Sequence, residues 1–378
     1  KYFIKDNIEE QKDKAKVTEI KFIDPCCGSG HILVYAFEVL YQIYREQGYN
    51  KNDIPELILK NNLFGLDIDD RAGQLSILSV ILKAREYDKD IFNKNIIKDL
   101  NVYSIQETNN INKSDLTIIK TDNELSEIID YIYDVFQNAK EIGSLLILEN
   151  KDYDRAINEI KNINDRQLRI FDIEKRKIIN EKVLPILKTA KVLSNKYECV
   201  VTNPPYLNNS SMSQELKNYL SKYYEKSKSD LCSAFMEVNL LNERGYFGII
   251  NQHVWMFINS FMKLREHIID NYHIVNMIHL GTRAFEEIGG EVVQTTSFVF
   301  NKQPSDIKSS IYRLVDFDNA KLKETQYLNM MDDYSNDFYY SINLKKLKVI
   351  PGSPFAYWSS DTLLDVFQKM ILLKTTLL

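Results

Sequence analysis

Short apolar runs alternate along the chain with longer stretches whose apolar positions recur every three to four residues. Thr18 to Ile23 alternate as a short strand, and Asn62 to Leu66, Val102 to Ile105 and Cys199 to Val201 read as further strands. Between the first two, His31 to Gln47 predict a helix with Ile32, Tyr35, Ala36, Val39, Leu40 and Ile43 on one face. Asp53-Ile54-Pro55-Glu56 open a second, short helix with Asp53 as N-cap and Pro55 in the first turn. Arg71 to Glu86 form an amphipathic helix, with Asp69 and Asp70 as capping residues. Later, Ser229 to Leu241 and Ser260 to Asp270 read as helices, and Gly245 to Ile250, His273 to Leu280 and Glu291 to Phe300 as strands. Strands and helices alternating at this length predict an α/β chain: a doubly wound sheet, mostly parallel, with an antiparallel strand at the end.

Residues 108–196 break that rhythm. They are polar and helical, with Leu125, Ile128, Ile129, Ile132, Val135, Phe136 and Ala139 on one stripe. A second stripe uses Ile157, Ile160, Ile163 and Leu168, then Val183, Leu184 and Leu187. The stretch is far longer than one strand–helix unit requires, so it reads as an inserted helical hairpin or small bundle, either an outward structural insertion or a surface for DNA or a partner. The expected organisation is residues 1–107 and 197–310 as two halves of one domain, 108–196 as the insertion, and 311–378 as the start of a further region. Lys1 to Lys16 read as a surface helix or loose lead-in. Ile311 to Leu378 alternate toward β-structure and end in a helix.

Composition narrows the class. Of 378 residues, 44% are apolar, enough for an ordinary core, and 27% are charged. The net charge of −5 is not the basic excess of a nucleic-acid binder, so any such contact needs a local patch. The four cysteines, Cys26, Cys27, Cys199 and Cys232, include no Cys-x-x-Cys pair, which points to a reduced cytoplasmic protein without structural disulfide or zinc. The five histidines are scattered, and no metal site is expected. No apolar run reaches 18 residues, so no membrane span is expected.

Two stretches carry candidate chemistry. The first strand ends in Asp24-Pro25-Cys26-Cys27-Gly28-Ser29-Gly30 and leads into a helix, the context of a nucleotide-type loop. Gly28 and Gly30 let the backbone approach a ligand, and the Asp24 carboxylate can accept from an ammonium. The loop has no Walker lysine and departs from Gly-x-Gly-x-x-Gly. Asp67 ends the second strand, where an acidic residue holds ribose hydroxyls. The second stretch is Asn203-Pro204-Pro205-Tyr206. The prolines end the strand and leave an outward tip, because they cannot continue the hydrogen-bond ladder. An exocyclic amine is a poor nucleophile because its lone pair is delocalised. The Asn203 side-chain carbonyl and the Pro204 backbone carbonyl can accept its two hydrogens, and Tyr206 offers a face for a base. The alternative is purely structural, with Asn203 as a turn former and Tyr206 as a packing residue. Lys217, Lys222, Lys226 and Lys228 follow in a stretch that reads either as a mobile loop available to phosphates or as a solvated linker.

These motifs, in the order Asp24 to Gly30, Gly65-Leu66-Asp67-Ile68-Asp69 and Asn203 to Tyr206, resemble those of AdoMet-dependent DNA adenine N6-methyltransferases whose cofactor motifs precede the catalytic one. Four longer stretches are similar to the PglX-type, type IIG-like methyltransferases of BREX phage-defence systems: Gly28 to Phe37, Asp69 to Ala72, Asp230 to Met236 and Pro351 to Trp358. The likeness covers most of residues 20–105 and 195–378. It implies a Rossmann-like methyltransferase fold, with Asp24, Pro25, Cys26, Gly28, Ser29 and Gly30 at the methionine end of S-adenosyl-L-methionine. Asp67 would hold its ribose, and Ile68 would flank its adenine. The family's acidic residue after the third strand has only Glu107 to match it here, behind Gln106. The resemblance implies a catalytic tip of Asn203, Pro204, Pro205 and Tyr206, with Phe285 as the second aromatic stacked on a flipped adenine of double-stranded DNA. Other phage-defence subunits are the further partners it implies.

The same tetrapeptide serves RNA and protein-glutamine methyltransferases, and a cofactor-binding sensor without transfer activity is a further alternative. The start at Lys1 leads to the expectation of a fragment. On the family pattern, that fragment lacks the helix before the first strand and the DNA-recognition region beyond Trp358.

Overall fold

The computed structural model describes residues 15–94, 100–164, 170–284, 293–302 and 306–376. The expected lead-in before residue 15, Leu168, Phe285 and the start of the strand predicted from Glu291 lie outside the described residues. The chain forms two compact units, one of residues 15–202 with 238–241 and one of 203–237 with 242 onward.

The first unit is built on four parallel strands: β1 (Phe22–Asp24), β2 (Leu63–Asp67), β3 (Asn101–Ser104) and β4 (Tyr197–Thr202). Their order is β3-β2-β1-β4, with Ile23 opposite Phe64 on one side and Val200 on the other. The chain builds outward from β1 and returns on the other side as β4. The order therefore reverses between β1 and β4, the place where doubly wound sheets bind ligands. The first strand is shorter than its alternation predicts. Val17–Glu19 is a 3₁₀ turn, held by buried Asn62, whose amide donates at 2.7 Å to the carbonyls of both Val17 and Ile20.

Helices α1 (His31–Glu46) and α3 (Asp70–Tyr87) pack on this sheet, with the short α2 (Ile54–Leu57) between them in sequence. The buried face of α1 shares Ala36 and Leu40 with the predicted stripe and otherwise differs from it. Leu33, Phe37, Leu40, Tyr41 and Tyr44 are buried, whereas Tyr35 and Val39 are 62% and 44% exposed. Both faces of α1 are apolar, and the one carrying Phe37, Tyr41 and Tyr44 fills the core. Tyr44 also donates to Asn62 Oδ1 at 2.8 Å, which satisfies its buried hydroxyl. Asp69 caps α3 as expected, accepting from Arg71 and Ala72 N–H. Asp53 precedes α2 with helical backbone angles and makes no side-chain cap.

The predicted insertion comprises α4 (Asn123–Val135), α5 (Ala139–Ile142), α6 (Tyr153–Asn164), α7 (Ile170–Ile178) and α8 (Leu184–Ser194). The stripe Leu125, Ile128, Ile129, Ile132 and Phe136 is buried, as its spacing predicts. It is not an outward appendage, however. Helix α8 packs on β3, and the turn Gly143–Leu145 packs on β2.

The second unit holds β5 (Leu241–Gln252), β6 (His273–Gly281), β7 (Thr295–Asn301), β8 (Ser309–Arg313) and β9 (Tyr339–Ile342), in the order β5-β7-β6-β8-β9. Strand β7 runs antiparallel to β5 and β6 and so lies inside the sheet, while β9 runs antiparallel to β8. Strands β6 and β8 are parallel. The lysine-rich stretch after Tyr206 is neither mobile loop nor linker but contains α9 (Gln214–Tyr223), capped by Ser213. The helix predicted from Ser229 shrinks to α10 (Leu231–Ala234) and a 3₁₀ turn, because β5 already begins at Leu241. Helices α11 (Met262–Asn271), α12 (Ala320–Asp332) and α13 (Asp361–Thr376) complete the unit, and α12 was not expected from the sequence. Buried Arg265 on α11 donates to the carbonyls of Trp255, Ile258, Gly352 and Ser353 at 2.6–3.1 Å. It thereby fastens the Pro351 to Trp358 stretch to the segment following β5.

Candidate active site

In the first unit the candidate cofactor residues gather at the carboxyl ends of β1 and β2. Asp24 is 1% exposed. Burial pushes its carboxyl up to about 7, against the lowering effect of the Cys26 N–H that donates to it at 3.0 Å. The loop beyond is stitched to β2 by Cys27 N–H to Leu66 O at 2.9 Å and closed by Gly30 N–H to Cys27 O at 2.8 Å. Gly28, at φ +52°, donates to one Asp67 oxygen at 2.8 Å, and Asp69 N–H donates to the other at 2.9 Å. One carboxylate thus ties the glycine loop to the end of β2. Its oxygens each keep a lone pair for a further donor. Ile68, beside it, is 47% exposed.

Burial holds the Cys26 thiol well above its ordinary range and pushes Cys27 up to about 12, so neither is a nucleophile. Glu107 stands half-buried three positions beyond β3. Its neighbour Gln106 donates to Asp70 at 2.6 Å. One participant escaped the sequence reading. Ser144, from the insertion, donates its hydroxyl to the Pro25 carbonyl, and Gly143 lies against Ile68. A Gly-Ser pair between two helical stripes was the one local signal.

In the second unit Asn203 is exposed, Pro204 buried and Tyr206 half-buried. The chain leaving Tyr206 is held by Leu231 N–H to Leu207 O at 2.9 Å and by a bridge between Asn208 and Asp230. Asp230 in turn caps α10, accepting from Cys232 N–H at 2.9 Å, and the Cys232 thiol contacts Asp230 and Asn251 of β5. The Asp230 to Met236 stretch therefore buttresses the tip. Burial, with Cys232 and Asp230 adding to it, raises the Tyr206 phenol above its ordinary range. The Tyr206 hydroxyl is buried and finds no hydrogen-bond partner among the described residues. Its ring is then the useful part, and the hydroxyl carries a desolvation cost of about 1–3 kcal/mol. Tyr206→Phe is expected to keep or slightly raise thermal stability in a melting experiment. A drop of several degrees would contradict this arrangement. Phe285 lies outside the described residues. Among those residues no group of three or more His, Cys, Asp or Glu is placed to hold a metal ion, and no helix is long and apolar enough to cross a membrane.

Residues 61–285, more than half of the chain, match the model of the Eco57I restriction-modification methylase family. The chain belongs to this family. The segment matched by the Eco57I model runs from the start of β2 through β6 and takes in Asp67 and the Asn203 to Tyr206 tip, while the Asp24 loop precedes it. Adenine-specific methyltransferase PglX of Lacticaseibacillus casei (strain Zhang) is 39% identical over 96% of this chain and 30% of its own length. Adenine-specific methyltransferase BrxX of Escherichia coli O9:H4 (strain HS) is 36% identical over 94% of this chain and 31% of its own. The type II restriction enzyme and methyltransferase RM.Eco57I of Escherichia coli is 22% identical over 84% and 28%. The chain thus spans about a third of the length of these relatives.

Proposed function

We propose that this chain carries the catalytic machinery of a DNA adenine N6-methyltransferase that uses S-adenosyl-L-methionine in phage defence or restriction-modification. The observation that carries this reading is the sheet reversal between β1 and β4, with the Asp24 loop following one strand and Asn203-Pro204-Pro205-Tyr206 following the other. The likeness to PglX and BrxX along nearly the whole chain supports the same acceptor.

The residues at the ends of β1 and β2 fit the cofactor. The Asp24 carboxylate suits its ammonium, the positive-φ backbone at Gly28 and Gly30 admits a close approach, and Ser29 lies between them. Pro25 and Cys26 complete the loop. Asp67 suits the ribose hydroxyls, Ile68 one face of the adenine, and Glu107 the adenine amine. When bound, the cofactor supplies an electrophilic methyl group on a positively charged sulfur. The target adenine has to leave the duplex, since its amine is paired within the stack. Tyr206 and Phe285 would sandwich the extruded ring. The Asn203 side-chain carbonyl and the Pro204 carbonyl would accept the two N6 hydrogens, drawing the nitrogen toward a tetrahedral shape and turning its lone pair to the methyl. Positioning and electrostatics carry the step, and the N6 proton leaves to solvent after transfer.

The Asp24 assignment has a pH signature. In the unliganded protein its carboxyl titrates near 7, and only the anion can hold the cofactor's ammonium. Cofactor affinity is expected to rise as pH goes from 6 toward 7.5, by up to about tenfold per unit below the midpoint, and then level off. Isothermal titration across that range checks this, and Asp24→Asn should bind weakly with no such slope. A flat wild-type profile would remove Asp24 from this role. The same raised value makes the folded state of the unliganded protein less stable as pH climbs from the ordinary carboxylate range to about 7, because the unfolded chain ionises first. Incubating the complete protein with labelled cofactor and, in parallel, unmethylated DNA, RNA or a protein acceptor, then digesting each to nucleosides or amino acids, tests the function. Label in N6-methyladenine supports it, whereas label in RNA or in a glutamine side chain would transfer the chemistry to another acceptor.

A further inference from the structure

The Pro351 to Trp358 stretch has no part in the chemistry above, yet it is firmly built into the second unit. Arg265 and the Phe355 N–H, which donates to Met256 O at 2.9 Å, anchor its first half. In its second half Tyr357 is buried, and its hydroxyl bonds His279 Nδ1 at 2.8 Å, while His279 Nε2 lies 2.8 Å from His253 Nδ1. Burial depresses His253 and His279, the latter to about 3, so this relay is neutral. The next residue, Trp358, is 45% exposed.

A single exposed aromatic is ordinary on a protein surface. Trp358 differs because its ring is held on several sides. Tyr357 meets it edge-on with centroids 4.9 Å apart, Phe257 lies at 5.9 Å, and the Arg313 guanidinium lies over it at 5.3 Å. These contacts come from the carboxyl ends of β5 and β8, and His279 ties in the end of β6. The same β5 carries Asn251, which is tied to Cys232 behind the Tyr206 tip. The ring therefore stands on the edge of the sheet that also bears the tip. Beside it is an open cavity of 290 Å³, lined by Tyr340, Lys308 and Lys346 among others. Two of the nearby cations are already engaged, Arg313 with Asp316 at 3.0 Å and Lys346 with Asp361 at 2.7 Å, which leaves Lys308 as the further cation of the lining. A phosphate would have to compete with those carboxylates. A flat, neutral π-surface would not.

We propose that Trp358, backed by Arg313 and Phe257, is a stacking platform for an unpaired base of the DNA substrate. The proposal rests on the DNA reading given above. It supplies sequence-tolerant contact to a chain whose net charge is −5. Pre-ordering by Tyr357 and Arg313 means that little side-chain freedom is lost on binding.

The test uses the complete protein and a labelled single-stranded oligonucleotide containing adenine. Subtracting the emission of Trp358→Phe from that of wild type isolates the signal of Trp358. At saturating oligonucleotide that signal is expected to fall by about half or more, as a stacked base quenches an indole. Trp358→Ala should bind the oligonucleotide about tenfold more weakly by anisotropy, and Trp358→Phe within about threefold of wild type, since a ring still stacks. Unaltered melting temperatures exclude misfolding. Asn203→Ala should retain the quench, since that residue serves transfer. Unchanged Trp358 emission with oligonucleotide bound overturns the platform. If such a protein still methylates adenine, the platform fails alone. If it neither binds nor methylates DNA, the functional reading fails with it.

Discussion

Asn203→Ala is expected to lower the rate of methyl transfer by about 10²- to 10³-fold, the range seen when one oriented polar group at a reacting centre is lost. Cofactor affinity should hardly change. Asn203 is exposed at the end of β4, and the hydrogen bonds that shape the Asp24 loop are made by Asp24, Leu66 and Asp67. Its carbonyl would act on the amine only as the nitrogen changes shape, so the loss falls on kcat and spares substrate binding. Asn203→Asp keeps an acceptor but adds a charge, and should retain part of the rate. Single-turnover transfer alongside a cofactor titration separates the two effects. A variant that loses cofactor binding instead would show that Asn203 shapes the loop and has no direct part in transfer.

Gly30→Ala is expected to destabilise the fold by about 2–5 kcal/mol, combining left-handed backbone strain with overpacking. Gly30 has φ +88°, and a Cβ there would sit 2.7 Å from Ser76 Oγ and 3.0 Å from Ser76 Cα. The serine hydroxyl can rotate away, but the backbone of α3 cannot without lifting from β2 and β3. Gly28→Ala is the internal control. Its φ is +52°, but nothing lies within 4 Å of the added carbon, so about 1–2 kcal/mol of strain is the whole expected cost. Urea unfolding of the two variants should rank them in that order. Equal losses would mean that close packing of α1 on α3 is not what requires glycine at position 30.

What could be read from the sequence depended on how local each signal was. The strands β1, β2 and β4 were legible because short apolar runs end at Asp-Pro, Asp or Asn-Pro-Pro, and after β1 and β4 proline stops the ladder. The capping role of Asp69 was equally local. The inward face of α1 was not, since Tyr35 and Val39 are as apolar as the residues that fill the core. Helix α12 went unseen because its sequence is mostly polar and its inward residues include a lysine. Lys323 is 2% exposed and donates to the Leu314 carbonyl at 3.0 Å, which only the fold provides. The hold of Ser144 on Pro25 joins residues far apart in the chain, and no periodicity reports such a contact. The buttress of the tip lies in the motif Asp230 to Met236. Its task rests on tertiary contacts, Leu231 N–H to the Leu207 carbonyl and the Cys232 thiol to Asn251, that no local pattern reports.

The Asn203 tip is proposed to direct a methyl group from S-adenosyl-L-methionine to adenine N6 in DNA. The most direct test is transfer of labelled methyl to unmethylated plasmid DNA by the complete protein, beside its Asn203→Ala variant. The expected result is label in N6-methyladenine with wild type and a loss of at least about 10²-fold in the variant, with cofactor binding intact in both. Bound cofactor without transfer to DNA, or transfer undiminished in the variant, would contradict it.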